Sequence, residues 1–198
     1  MQRYVAFVSG LPTGPKTVPQ DTLRSLFIKL GFLNVETHAS AGNVAFETSP
    51  VGVVGALEAQ ISRHLRRSTG EDDIWTFVRT PDELAGIATN LPFTDKPDGA
   101  AVFVVLLNEP LDERTARSVS MRHTSSDQLY PREREIYWVR QSADDGGPPL
   151  RLGEVIHTHA TLRSIKLIER LAERYGGKPR ESRVSGSETS VTGRSSNH

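Results

Sequence analysis

The residues best suited to chemistry lie in the first half-hundred positions. Gly10-Leu11-Pro12-Thr13-Gly14-Pro15-Lys16-Thr17 is a glycine- and proline-rich loop with one cation, and Ser40-Ala41-Gly42-Asn43 is a second glycine turn. Backbone N–H groups exposed by glycine, beside a lysine and a helix start, are suited to a carboxylate or phosphate. A phosphate-cradling P-loop is excluded, because that motif needs glycine next to lysine and a run of free N–H groups. Here Pro15 separates Gly14 from Lys16, and Pro12 and Pro15 each remove a donor. What survives is a small anion site drawn from Gly10, Gly14, Lys16, Ser40, Gly42 and Asn43. The plainer reading gives the glycines positive φ and leaves Asn43 to satisfy backbone groups in a tight turn.

Other constellations are thinner. His157-Thr158-His159 puts two imidazoles at i, i+2, but apart from Glu154 no third ligand lies near, so no metal site is expected. Asp72-Asp73 and Asp144-Asp145 read as loop and capping carboxylates. No serine stands in a Gly-x-Ser-x-Gly context, and the absence of cysteine removes thiol nucleophiles, disulfides and thiolate metal sites. In Ile136-Tyr137-Trp138-Val139 the two aromatics face opposite sides of a strand, so Tyr137, with Arg163, is a candidate for an inter-domain groove, with domain packing as the preferred plainer reading.

Composition sets the frame. The chain has 198 residues, 36% hydrophobic and 24% charged, with 24 basic residues balancing 24 acidic ones. No global field therefore draws it to nucleic acid or to an acidic membrane. The N-terminal apolar run is too short and too lightly charged for a signal peptide, and no run approaches a bilayer span. A cytoplasmic protein without cofactor is the expectation.

The elements that must position these residues follow from periodicity. Residues 3–9 form a buried strand. Thr17 is expected to cap a helix, with Gln20 at N3 and Pro19 in the first turn; Leu23, Leu26, Phe27 and Leu30 line one face and Gly31 ends it. Strands over 35–38 and 44–47 flank the Gly42-Asn43 turn. Ser49-Pro50 is expected to start a second helix with Val53, Val54, Leu57, Ile61 and Leu65 as its stripe, and a strand spans 74–79. The order βαββαβ is the ferredoxin-like plait. Next, Thr80-Pro81-Asp82-Glu83 opens a helix to about residue 90. A strand over 101–107 buried on both faces, a helix over 112–121, a hairpin of 128–130 with 136–140 and a helix over 160–175 complete the order αβαββα. The fold class is thus α+β, two ferredoxin-like subdomains over 1–79 and 80–177, with a disordered serine- and glycine-rich tail over 178–198.

These residues resemble the bacterial domain-of-unknown-function family DUF1697. Its N-terminal pattern appears here as Ser9-Gly10-Leu11-Pro12-Thr13-Gly14-Pro15-Lys16, Val18-Pro19, Leu30-Gly31-Phe32 and Ala41-Gly42-Asn43-Val44, followed by Val78-Arg79-Thr80, Glu83-Leu84 and Asn90-Leu91-Pro92-Phe93. The resemblance covers residues 1–107 and thins beyond them. The family's C-terminal Ser-Lys-Leu helix is shortened to Gly147-Pro148-Pro149-Leu150-Arg151-Leu152. Its Thr-Thr-Arg-Asn-Trp-Arg-Thr-Val signature is reduced to Thr158, Arg163 and Ser164, with Ala160, Thr161 and Leu162 in place of Arg, Asn and Trp. The resemblance implies two plait-like subdomains and no activity.

The expectation for function is a non-catalytic module binding a small anionic ligand or a protein partner, with the anion at the loop after the first strand. One alternative is an enzyme of unknown class whose Lys16, Asn43, Tyr137 and Arg163 converge between the subdomains. Another is single-stranded RNA binding with Phe7 as the stacking aromatic, although Gly42-Asn43-Val44-Ala45-Phe46 lacks the remaining aromatic platform and nucleic acid is disfavoured.

Overall fold

A computed structural model describes residues 1–38, 42–94, 98–141 and 152–176. Ser40, the Asp144-Asp145 pair, the shortened segment at 147–151 and the expected tail at 178–198 lie outside the described residues. The first sheet consists of β1 (Gln2–Ser9), β2 (Leu33–His38), β3 (Asn43–Thr48) and β4 (Trp75–Arg79), in the order β2-β3-β1-β4 with every pair antiparallel. Helices α1 (Gln20–Lys29) and α2 (Val54–Thr69) cover one of its faces. Helix α3 (Pro81–Thr89) leads into the second sheet. That sheet holds β5 (Ala101–Leu107), β6 (Asp127–Pro131), β7 (Glu135–Arg140) and β8 (Ala160–Ser164) in the order β6-β7-β5-β8, again antiparallel. Helices α4 (Glu113–Ser120) and α5 (Ile165–Tyr175) complete the described elements.

Alternation along the strands decides the layering. Tyr4, Ala6 and Val8 point toward α1 and α2, whereas Val5 and Phe7 point the other way. There they meet Leu84 and Ile87 of α3 and Ile168 and Leu171 of α5, whose far sides pack on Val104, Leu106, Tyr137 and Val139 of the second sheet. The helix pair α3–α5 is therefore shared by both sheets, and one core runs between them. Phe7 is wholly buried in it. An RNA-stacking role for Phe7 is corrected by this burial, since the sheet face that would stack bases is covered by helices.

The predicted elements stand with three corrections. Thr17 does not cap α1; its hydroxyl donates to the Gly14 carbonyl at 2.7 Å and closes a 3-10 turn over Gly14–Lys16. Helix α1 begins three residues later behind Pro19, whose fixed φ of −59° prepares the turn. Ser49-Pro50 does not open α2, because Val51 N–H donates to the Tyr4 hydroxyl and holds that stretch against the sheet. The third correction is a strand. Residues 160–164 do not begin the last helix but form β8 along the free edge of β5, and Ser164 caps α5 by accepting from Leu167 N–H. With β7 on its other side, β5 thus has a hydrogen-bonded neighbour on each edge.

A buried polar cluster pins the two sheets. Arg79, 1% exposed at the end of β4, donates to Glu135 at 2.8 Å and to the carbonyls of Val78, Leu107 and Arg134 at 2.9, 3.0 and 2.9 Å. Burial holds its guanidinium below the ordinary arginine range, partly offset by Glu135.

Candidate functional site

The two glycine turns meet at one rim, at the end of β1. Gly42, at φ +98°, accepts from Val8 N–H, and a Cβ there would stand 2.5 Å from the Val8 carbonyl. Gly10, at φ +74°, would bring a Cβ to 1.8 Å from the Asp73 carbonyl. Both positions thus require glycine for close backbone packing. Gly14 faces open space and Lys16 is exposed on the 3-10 turn. Asn43 is buried, and its side-chain oxygen accepts from Arg163 Nε at 2.9 Å. Arg163 also donates to the Val8 carbonyl at 2.9 Å, Thr161 Oγ1 at 2.7 Å and the Leu162 carbonyl at 2.8 Å, and lies over the Phe7 ring. Desolvation brings its guanidinium down to about 10.

Of the candidate residues, the structure therefore brings Asn43 and Arg163 together and ties β8 to the rim of the first sheet. Tyr137 stands elsewhere. Its hydroxyl donates to the Ile87 carbonyl at 3.0 Å beneath α3, and it is 3% exposed. Burial, then the charge of Glu135, pushes that phenol up to about 12. Tyr137 packs under α3 and lines a cleft of about 350 Å³ with Glu83, Ile87, Arg132 and Glu135, apart from Arg163.

A large cleft lies beside β4. About 610 Å³ is enclosed by α2, the start of β4, and the segments 108–109 and 157–159. The α2 face toward it is unusual, since Glu58 and Ser62 are buried among Leu57, Ile61 and Leu65. Glu58 accepts from Val78 N–H and Arg134 at 2.7 Å each, and from Asn108 Nδ2 at 2.9 Å. Arg66 donates through Nε to the Ile74 carbonyl at 2.8 Å, and its guanidinium sits 4.0 Å from the centre of the Trp75 ring. The His159 imidazole also stacks on that indole. Arg63 and Arg67, one helical turn apart from each other, stand exposed beside Arg66.

Three polar atoms of this cleft are buried without a partner among the described residues: Thr76 Oγ1, Asn108 Oδ1 and Arg66 Nη2. A buried polar atom left unpaired costs about 1–3 kcal/mol, and three of them belong to residues lining this cleft. This cleft is absent from the sequence reading. The available signal was the polar pair Glu58 and Ser62 interrupting the apolar stripe of α2, with Arg63, Arg66 and Arg67 around it. Among the described residues, no cluster of three or more His, Asp or Glu side chains is arranged to hold a metal ion. No described helix is long and apolar enough to cross a membrane.

Among the described residues the architecture is α+β, with two four-stranded antiparallel sheets and five α-helices. A family model described as Protein of unknown function (DUF1697) matches residues 1–137, and the chain belongs to that family. Among solved structures it is similar to a conserved bacterial protein of Streptococcus pneumoniae, with 19% identity and a TM-score of 0.63 over 88% of this chain and 98% of the other. That likeness establishes the fold. No curated protein matches the chain.

Proposed function

We propose that the protein is a non-catalytic, cytoplasmic ligand-binding module that holds a small anion in the cleft behind α2. It is built from two ferredoxin-like plaits, residues 1–79 and 80–177. The plait reading is supported by the matching strand orders of the two sheets, each with its first strand interior and antiparallel to both neighbours. The binding reading is carried by one observation: Arg66, whose Nη2 is buried without a partner among the described residues, lines the cleft beside two further exposed arginines. The loop at Gly10–Lys16 is the lesser candidate, because close packing already accounts for Gly10 and Gly42. The non-catalytic reading is supported by Glu58, the cleft's buried carboxylate, whose oxygens are engaged by Val78, Arg134 and Asn108.

The test is thermal stabilisation by a panel of phosphates, carboxylates and nucleotides at constant ionic strength. Stabilisation by at least one anion is expected, reduced in Arg66→Ala and Arg63→Ala and unchanged in Lys16→Ala. A shift that disappears in Lys16→Ala and survives both other substitutions moves the site to the N-terminal loop.

A further inference from the structure

The cleft's unmatched atoms say more about the ligand than its charge. Asn108 Nδ2 donates to Glu58 Oε2 at 2.9 Å and to the Thr76 carbonyl at 2.9 Å. Both partners only accept, so the hydrogen-bond network assigns the orientation of this amide without ambiguity. Its Oδ1 is then turned away from them, buried, and without a donor among the described residues. A carbonyl oxygen accepts and never donates. An anionic oxygen placed against it would be repelled, whereas an O–H would be bound. Arg66 Nη2 has the opposite character: it only donates, its guanidinium oriented by the Ile74 carbonyl and the Trp75 ring. Thr76 Oγ1, wholly buried between them in sequence and unpartnered, serves in either role. One cleft therefore asks for an anion and a hydrogen-bond donor on the same molecule, and about 610 Å³ accommodates a small organic compound.

We propose that the ligand is a hydroxyl-bearing organic phosphate, its phosphate facing Arg66 with Arg63 and Arg67 alongside, and one hydroxyl donating to Asn108 Oδ1. Three arginines on one helix face suit a dianion better than a single carboxylate. The inference rests on the reading of this cleft as an anion site, and the experiment separates the two.

Isothermal titration of the full chain compares glycerol 3-phosphate, ribose 5-phosphate and ethyl phosphate at one ionic strength. At least one hydroxylated phosphate should bind tenfold or more tightly than ethyl phosphate, because the analogue leaves Asn108 Oδ1 unpaired. Asn108→Leu should abolish that preference, so that within the variant the hydroxylated phosphates bind no more tightly than ethyl phosphate. Equal binding of all three by the native chain overturns the inference and leaves the anion site standing. Absence of binding by all three overturns both. Persistence of the preference in Asn108→Leu overturns the role of Asn108. The comparison in the native chain decides the ligand class even if the variant fails to fold.

Discussion

Replacing Arg79 by methionine should be among the most damaging single changes in the molecule. The side chain is 1% exposed and bridges Glu135, whose own side chain is 14% exposed, at 2.8 Å. Methionine fills the volume of the stem but strands that carboxylate, and it leaves the Leu107 and Arg134 carbonyls without the donor they shared. Glu58 is less affected, because Arg134 remains beside it at 2.7 Å. Removing one member of a buried pair costs about 3–5 kcal/mol. Against a total stability of about 5–15 kcal/mol this is a large fraction. With a urea slope of about 2 kcal/mol per molar, the midpoint should fall by roughly 2 M. Glu135→Met added to Arg79→Met should recover part of the loss, since no charge is then left unpaired. The assay is urea unfolding read by tryptophan fluorescence, with Trp75 reporting the first sheet and Trp138 the second. Loss below 1 kcal/mol in Arg79→Met, or no recovery in the double variant, would refute the argument that the ion pair pins the sheets.

Three further outcomes are expected. In each of the variants Trp75→Phe and Trp138→Phe, fluorescence of the remaining tryptophan and far-UV circular dichroism should give coincident midpoints, because α3 and α5 belong to the cores of both sheets; probe midpoints separated by more than 0.5 M within one variant would show two independent units. Gly10→Ala and Gly42→Ala should each cost at least about 2 kcal/mol in urea unfolding, the Cβ meeting backbone carbonyls at positive φ, whereas Gly14→Ala, with open space around it, should cost about 1 kcal/mol. The phenols of Tyr137 and Tyr175 are both raised to about 12, Tyr137 by burial and then Glu135, Tyr175 by burial and then its hydrogen bond to Glu36. The unfolded chain loses these protons near pH 10, so their contribution is complete below that value and is lost as pH rises toward 12. Stability profiles from pH 9 to 12 should therefore be flatter in Tyr137→Phe and Tyr175→Phe, and an unaltered slope would contradict the assignment.

Most elements were readable because their signals are local. The capping box of Thr80 and Glu83, the positive φ of Gly31 and the twofold burial of β5 each follow from a few neighbouring residues. The failures share a cause as well. Thr17 and Ser49 are good caps in isolation, but Thr17 closes a turn with Gly14, and the chain after Ser49 is held by Tyr4, far away in sequence. Strand β8 was missed because Ala160 to Ser164 continue the apolar rhythm of α5, and only the vacant edge of β5 selects the extended form. The rim was foreseen as a meeting of two glycine turns. Its tie to Arg163 spans 120 residues and has no local signature. The cleft was invisible for the same reason, since Asn108 and His159 reach it from the second half of the chain.

The position of α5 has a consequence for how the protein is made. It is the last described element, yet its Ile168 and Leu171 complete the interior facing both sheets. A nascent chain on the ribosome thus carries two half-covered sheets, with Phe7 and Val104 roofed by α3 alone, until the codons for α5 have been read. The inner layer cannot close before α5 has been made. During that interval, chaperone contact would be directed at those two half-covered faces.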